Sequence, residues 1–145
     1  MEPVSGDVIV YLCTNCTPQG TRLPRQWQVD GAQVAVRHVP CSGKIDAQYL
    51  FHAFESGVRG LCVVACPKGR CQLFQGNYRA EVRTGTVRRL LDEVGMEPER
   101  MEIVHGSADD PPETFDTLVR GAAERLCALG PSPIRARAEK AAIEG

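Results

Sequence analysis

The sequence lacks an excess of charge of either sign, since 17 Lys and Arg residues stand against 18 Asp and Glu, a formal net charge of -1 at pH 7. A chain without a basic surplus has no global electrostatic preference for nucleic acid or an anionic membrane surface. It also lacks a long apolar run, because the longest, residues 61–66, is far too short to cross a bilayer. We therefore expect no nucleic-acid partner and no membrane span.

Targeting and catalytic signals are missing as well. The N-terminus, "MEPVSGDVIVYL", has neither a basic leader nor a long apolar segment, which predicts no signal peptide and a cytoplasmic protein. No GxSxG, P-loop or GxGxxG motif is present, so nothing indicates nucleophilic hydrolysis or phosphate chemistry. No internal repeat or low-complexity segment suggests a repetitive architecture.

Cysteine, in contrast, is abundant, with seven residues in a chain of 145. A secreted disulfide scaffold more often has an even number of cysteines in a smaller, loop-rich chain. In a reducing compartment, clustered cysteines more often bind metal or carry out redox chemistry. The cysteines therefore become the candidate functional residues.

Short Val-rich runs alternate with segments of helical periodicity. Strands are predicted at residues 7–12, 33–39, 61–65 and 101–105, and helices at 47–55, at 77–94 and from Pro111 onward. This alternation predicts an α/β fold, a single Rossmann/flavodoxin-like domain whose four-stranded parallel sheet has the order 2-1-3-4 and is flanked by helices. We expect residues 1–130 to form this domain and residues 131–145 a C-terminal tail.

Five cysteines come directly after predicted strands. Cys13 and Cys16 follow the first strand, Cys41 follows the second, and Cys66 and Cys71 follow the third. Because parallel strands end at the same edge of a sheet, these thiols should converge where the strand order reverses. The pattern predicts a metal site at the C-terminal edge of the strands.

The remaining cysteines and the histidines have simpler interpretations. Cys62 lies inside the third strand and Cys127 on the apolar face of the last helix, so both are predicted to pack in the core. His52 lies in the middle of a helix, and His105, at a strand end, is predicted to be a hydrogen-bonded structural residue. His38 precedes "VPC" and lies near the predicted site.

Three kinds of cysteine chemistry fit the sequence. A structural zinc module is one alternative, but zinc ribbons usually use two short CxxC pairs, whereas Cys66 and Cys71 have four residues between them. A thiol redox protein that uses "CTNC" is another, although Pro18 and Gly20 make the required helix after Cys16 poor. An iron–sulfur cluster held by four thiolates tolerates irregular spacing and is favoured.

Four segments of the sequence together resemble one family. They are "CTNC", "VPCSGKID", "GLCVVACPKGRCQLFQGNYRA" and "LLDEVGMEPERMEIVHGSADD", spread over residues 7–128. The combination closely resembles the delta subunit of methyl-viologen-reducing hydrogenase, an iron–sulfur electron-transfer subunit. "CSGK" or "GNYRA" alone would be too short to be specific.

The resemblance implies a small, non-catalytic α/β subunit with one 2Fe-2S cluster. It implies a relay between an iron–sulfur flavoprotein resembling the A subunit of heterodisulfide reductase and a hydrogenase, formate dehydrogenase or other oxidoreductase subunit. Such complexes are associated with flavin-based electron bifurcation. Carried over by position, the family cysteines are Cys13, Cys16, Cys41, Cys66 and Cys71. Four ligands suffice, and we favour the set without Cys41, which would then be a nearby thiol or a substitute ligand.

Overall fold

Val8–Cys13 forms the central strand β1, and all six of its residues are buried. In the computed structural model, which describes residues 7–39, 46–65 and 76–133, the sheet builds outward from this strand. The other strands are β2 (Gln26–Val29), β3 (Ala32–Val39), β4 (Gly60–Ala65) and β5 (Met101–His105). The strand order is β2-β3-β1-β4-β5. Strands β1 and β4 are continuous apolar runs because helices cover both of their faces.

Within the described residues, three α-helices flank the sheet: α1 (Ala47–Glu55), α2 (Gly76–Glu93) and α3 (Pro112–Ala128). Helix α1 begins after Asp46, whose side chain accepts a hydrogen bond from the Gln48 backbone N–H and so caps the helix, as the sequence predicts. Helices α1 and α2 pack on one face of the sheet and α3 packs on the other, which gives two apolar cores. The result is a three-layer α/β arrangement.

The prediction of a four-stranded parallel sheet is wrong in two respects. The sheet has five strands, and β2 pairs with β3 in antiparallel register. The extra strand is part of a hairpin whose turn, Asp30-Gly31, has positive φ at both residues (48° and 85°), as hairpin turns that match the twist of a sheet require. The four predicted strands do run parallel, in the predicted relative order β3-β1-β4-β5.

The periodicity of residues 77–94 predicts an apolar face for α2, and this prediction is partly wrong; the predicted face consists of Tyr78, Val82, Val87, Leu90, Leu91 and Val94. Val87 and Leu91 are buried as predicted, but Val82 and Val94 are 51% and 48% exposed. Ala80 and Thr84 are buried as well. The buried face of α2 is therefore rotated relative to the predicted apolar face. The reason is that small and hydroxyl side chains, which were not counted as apolar, contribute to the buried face.

The amino end of the sheet is closed by an arginine. Arg100, only 2% exposed, precedes β5. Its guanidinium donates hydrogen bonds to Glu97 Oε2 and to the carbonyls of Arg59, Leu129, Gly130 and Pro131. It thus joins the start of β4 to the carbonyls that follow α3.

No helix within residues 7–39, 46–65 and 76–133 is long and apolar enough to span a membrane. The predicted tail, residues 131–145, lies outside the described residues from position 134 onward.

Candidate metal centre

The carboxyl ends of three parallel strands lie side by side at the middle of the sheet. Cys13, the last residue of β1, pairs with Val39, the last residue of β3. On the other side of β1, Leu12 pairs with Val64, one residue before the end of β4 at Ala65. The order of the parallel strands reverses here, and α/β folds place their binding sites at such a point.

Two of the five predicted ligands fall within the described residues. Cys13 and Cys16 contact each other as a small buried pair, each 1% exposed. Cys13 is a reduced thiol, whereas Cys16 is disulfide-bonded. The structure therefore places "CTNC" at the predicted edge.

The other three predicted ligands, Cys41, Cys66 and Cys71, lie outside the described residues. Among residues 7–39, 46–65 and 76–133, no group of three or more His, Cys, Asp or Glu side chains is arranged to hold a metal ion. The predicted site is thus described only on its β1 side. The flanking strands nevertheless fix where the remaining segments leave the sheet, since Val39 is two residues before Cys41 and Ala65 is one residue before Cys66.

A short 3₁₀ turn, Thr14–Cys16, sets the conformation of the "CTNC" segment. The Thr14 hydroxyl donates to the Val39 carbonyl at 3.0 Å, and the Thr17 hydroxyl donates to the Cys13 carbonyl at 3.0 Å. These bonds fasten the turn to the ends of β3 and β1. The backbone leaves Cys16 through an extended Thr17, so the helix that a thioredoxin-like site needs does not follow the second cysteine.

Tyr11 lies two residues before Cys13 and on the same face of β1, because successive side chains of a strand alternate. Its ring is 2% exposed and packs edge-to-face against Tyr49, with 6.0 Å between the ring centroids. Its hydroxyl is buried. Burial raises the pKa of Tyr11, and nearby Tyr49 raises it further through its charge and a side-chain hydrogen bond, while Arg37 lowers it.

The outer part of the edge is polar. His105, the last residue of β5, pairs with Ala65, and its Nε2 lies 3.1 Å from Glu81 Oε1 on α2. This is the hydrogen-bonded structural role predicted for His105. His38 and His52 are both exposed, and His52 Nδ1 lies 3.3 Å from Glu55 Oε2.

The two cysteines predicted to pack in the core do so. Cys62 is fully buried and Cys127 is 7% exposed, both are free thiols, and both belong to the core beneath α3. Burial raises the pKa of Cys62, and it raises that of Cys127 against a smaller lowering by Arg59. Because a metal ligand is a thiolate, such protonated thiols are poor ligands.

Two surface grooves of about 590 Å³ lie elsewhere on the molecule. One, beside the edge strand β5, includes Arg88, Glu102 and Arg125 in its lining; the other lies between the segment that contains Gly20 and α3. Neither lining contains Cys13 or Cys16.

Comparison with known proteins agrees with this arrangement. Residues 8–130 match the family described as methyl-viologen-reducing hydrogenase, delta subunit. The iron-sulfur D subunit of the F420-non-reducing hydrogenase vhu of Methanocaldococcus jannaschii is 35% identical over 106 residues, which cover 73% of this chain and 78% of that protein. The corresponding D subunit of Archaeoglobus profundus is 32% identical over 67% of this chain and 72% of its own length.

A second kind of relative is much longer. The A subunit of the ferredoxin:CoB-CoM heterodisulfide reductase of Methanosarcina mazei is 24% identical over 86% of this chain, but the match covers only 16% of that protein. Nearly the whole of this fold is thus similar to one segment of a larger chain.

The fold and the edge cysteines define a small α/β protein with a buried cysteine pair at the carboxyl edge of its sheet. By the match over residues 8–130 and the identity to the hydrogenase D subunits, the chain belongs to the family of methyl-viologen-reducing hydrogenase delta subunits.

Proposed function

We propose that the chain is an electron-transfer subunit that holds one 2Fe-2S cluster at the carboxyl edge of the sheet. The observation that carries the proposal is the reduced, buried thiol of Cys13 between the ends of β3 and β4. The sequence places Cys41 and Cys66 one or two residues beyond those ends. The relatives named as iron-sulfur D subunits support the kind of centre.

The described residues fit such a group by their chemistry. Iron–sulfur clusters are held by cysteine thiolates, and Cys13 is a sulfur donor already shielded from water at 1% exposure. Cys16 contacts it in the same buried pair. To act as a ligand, Cys16 must be in its reduced form, so the proposal concerns the reduced chain.

We propose Cys13, Cys16, Cys66 and Cys71 as the four ligands, with Cys41 as a neighbouring thiol or substitute. The motive is that β1 and β4 are adjacent strands. However, β3 is also adjacent to β1, on its other side, so cysteine variants are needed to decide which four residues bind the cluster. If Cys41→Ser loses the iron while Cys16→Ser retains it, this ligand set is wrong.

When bound, the cluster would supply a one-electron carrier. The surrounding residues would exclude water and hold the ligand segment in place. The packed strands exclude water from Cys13, which strengthens electrostatic interactions near it. The hydrogen bond from Thr14 to the end of β3 holds the "CTNC" turn in place. A rigid site of this kind limits the rearrangement that accompanies a change of charge.

We propose that the partners are an iron–sulfur flavoprotein resembling the A subunit of heterodisulfide reductase and a hydrogenase, formate dehydrogenase or other oxidoreductase, in a cytoplasmic complex of the electron-bifurcating kind. The relatives named as hydrogenase subunits support one side of this relay. The similarity to a 16% segment of a heterodisulfide reductase chain supports the other, because a domain fused into one chain often docks on it when separate. Residues 1–130 would form the functional domain.

Anaerobic purification followed by iron, sulfide and zinc analysis tests the cofactor. We expect two iron and two sulfide per chain and a brown protein with visible absorption. Stoichiometric zinc without sulfide would instead indicate a structural module, and a colourless, metal-free chain with a reversible disulfide would indicate a thiol redox protein.

Affinity purification of the tagged native protein tests the partners. An iron–sulfur flavoprotein and a second oxidoreductase should be recovered with it under gentle anaerobic conditions. Recovery of the chain alone, able to reduce a small-molecule substrate unaided, would contradict the relay.

A further inference from the structure

The edge strand β5 presents unpaired backbone groups. The Gly106 N–H donates to the Ala65 carbonyl at 2.9 Å, so the peptide groups of even-numbered residues point toward β4. Those of odd-numbered residues point outward, as the 2.7 Å bond from Arg88 Nε to the Met101 carbonyl shows. In the part of the chain that the structure describes, no strand pairs with this edge, and the N–H and C=O of Ile103 face outward at its centre. Such an edge is a template for another strand.

The opposite edge of the sheet is protected in a way that β5 is not. Strand β2 has only four residues, and its Gln26 and Gln28 are exposed. Short, polar edge strands resist further pairing. Strand β5 instead carries the β-branched Ile103 and Val104 at its centre, both half-buried, and a groove of about 590 Å³ lies beside it. Of the two edges, β5 is the one suited to an added strand.

Helix α2 lies over the same edge. Glu81 Oε1 is 3.1 Å from His105 Nε2 at the carboxyl end of β5, and Arg88 binds the Met101 carbonyl at its amino end. Gly85 lies between Glu81 and Arg88 on this side of the helix, and a Cβ there would meet nothing within 4 Å. Because glycine destabilises a helix interior and no described neighbour requires it here, Gly85 indicates the close approach of a second helix.

We propose that two copies of the chain associate through their β5 edges, about a two-fold axis that passes close to Ile103 and Gly85. In antiparallel pairing centred on Ile103, the two copies of this residue exchange both of their backbone hydrogen bonds. Ile103 lies midway along β5, and Gly85 lies near the midpoint between the two α2 residues that contact the ends of β5. The strand and the helix thus share one axis, as contact between two identical surfaces requires.

Charge complementarity favours a second copy as the occupant of this edge. Antiparallel α2 helices that cross at Gly85 bring Glu81 of each copy opposite Arg88 of the other, so two pairs of opposite charge form. The Glu81 side chain is 26% exposed and Arg88 is half-buried, so both reach the surface. The association leaves the carboxyl ends of β1 and β4 uncovered and does not rest on the proposed function.

The test uses the symmetry of the pair. Glu81→Arg or Arg88→Glu alone places like charges at both contacts, so each should raise the dissociation constant about a hundredfold. A mixture of the two variants places opposite charges at both contacts and should form a mixed dimer. Sedimentation of the full chain in reducing agent measures this, and wild type should have twice the 15.8 kDa mass of one chain.

Two further variants separate the interface from the fold. Arg89→Glu makes the same charge change one residue along α2, at an exposed position, and should remain dimeric. Gly85→Gln should fold, since glutamine favours a helix more than glycine, but its side chain would hold the helices apart and yield monomers. In those monomers the Ile103 amide should exchange with D₂O faster than in wild type, because pairing protects it in the dimer.

Three results would overturn the inference. They are a monomeric wild type at concentrations up to about 100 μM, a folded Gly85→Gln variant that dimerises like wild type, and a mixture of the two folded charge variants that stays monomeric. Circular dichroism checks that each variant is folded. If the Ile103 amide is protected only when another protein is present, a strand of that protein occupies the edge and the second copy is wrong. Iron and sulfide contents report on the proposed function separately.

Discussion

The two ends of the sheet are built in opposite ways. At the amino end, Arg100 donates to one carboxylate and four backbone carbonyls, so a buried charge is surrounded by acceptors. At the carboxyl end, the described groups include the reduced, buried thiol of Cys13 at the end of the central strand. A buried charge surrounded by acceptors is typical of a structural role, whereas the carboxyl ends of parallel strands, where the strand order reverses, are the place at which α/β folds bind ligands.

The sharpest test of this contrast is Cys13→Ser. Serine has nearly the same shape but is a poor ligand to iron, so we expect loss of essentially all bound iron and sulfide from a chain that still folds. Circular dichroism checks the fold, and metal analysis checks the cluster.

Cys62→Ala and Cys127→Ala are the controls for that variant. Both should retain the visible spectrum, and each should lower the free energy of unfolding by about 1 kcal/mol or somewhat more, as ordinary core trimming does. Loss of iron from either variant would mean that the division between ligand and packing cysteines is wrong.

At the amino end the largest effect should come from Arg100→Met. The methionine can fill the space, but the carbonyls of Arg59 and Gly130 would lose their buried donor. We expect a loss of about 3 kcal/mol in the free energy of unfolding, measured with urea. Arg125→Met, which breaks the more exposed pair with Glu102, should cost about 1 kcal/mol or less. Equal losses would contradict the special role of Arg100.

Gly106→Ala tests how closely the carboxyl end is packed. Gly106 follows β5 and donates its N–H to the Ala65 carbonyl at 2.9 Å. An added Cβ would lie 2.6 Å from Phe115 Cε2, so we expect a loss of about 1–3 kcal/mol from overpacking.

Gly85→Ala is the matched control, since a Cβ there meets nothing within 4 Å inside α2. It should stabilise the protein by up to about 1 kcal/mol, because alanine favours helix over glycine. Thermal unfolding of both variants gives the comparison, and a stabilising Gly106→Ala would show that Phe115 moves freely.

The smallest expected effect is a pH-dependent contribution of Glu97 to the free energy of unfolding, at the amino end of the sheet. The hydrogen bond from Arg100 holds the pKa of Glu97 below its usual range. A carboxyl whose folded pKa is lowered contributes stability above its unfolded pKa and loses it as pH falls through the folded pKa. Glu97→Gln should therefore reduce stability at pH 7 by about 0.5 kcal/mol, a small figure because the side chain is half exposed.

Below about pH 4, near the unfolded pKa of a glutamate, the difference between Glu97→Gln and wild type should shrink. Glu99→Gln removes the same charge two residues along the chain and serves as the control. A gap between Glu97→Gln and wild type that grows at low pH would have the wrong sign.

The sequence by itself determined the four parallel strands, their order, the cap at Asp46 and the packing roles of Cys62 and Cys127. Apolar runs and caps are local patterns set by neighbours along the chain, and the right-handed crossover between parallel strands leaves few possible strand orders. The hairpin of β2 and β3 was missed, because the four-residue strand before the Asp30-Gly31 turn is too short and too polar to be predicted without its partner β3.

Only the tertiary structure decided which face of α2 is buried, because that depends on the helix against which it packs. Only the fold could bring Arg100 to carbonyls about 30 and 40 residues away. The same holds for Tyr11: the sequence shows a tyrosine in an apolar strand, and only the packing of α1 on the sheet buries it against Tyr49. Whether a buried polar group has a partner depends on contacts between distant residues, which no local pattern of the sequence records.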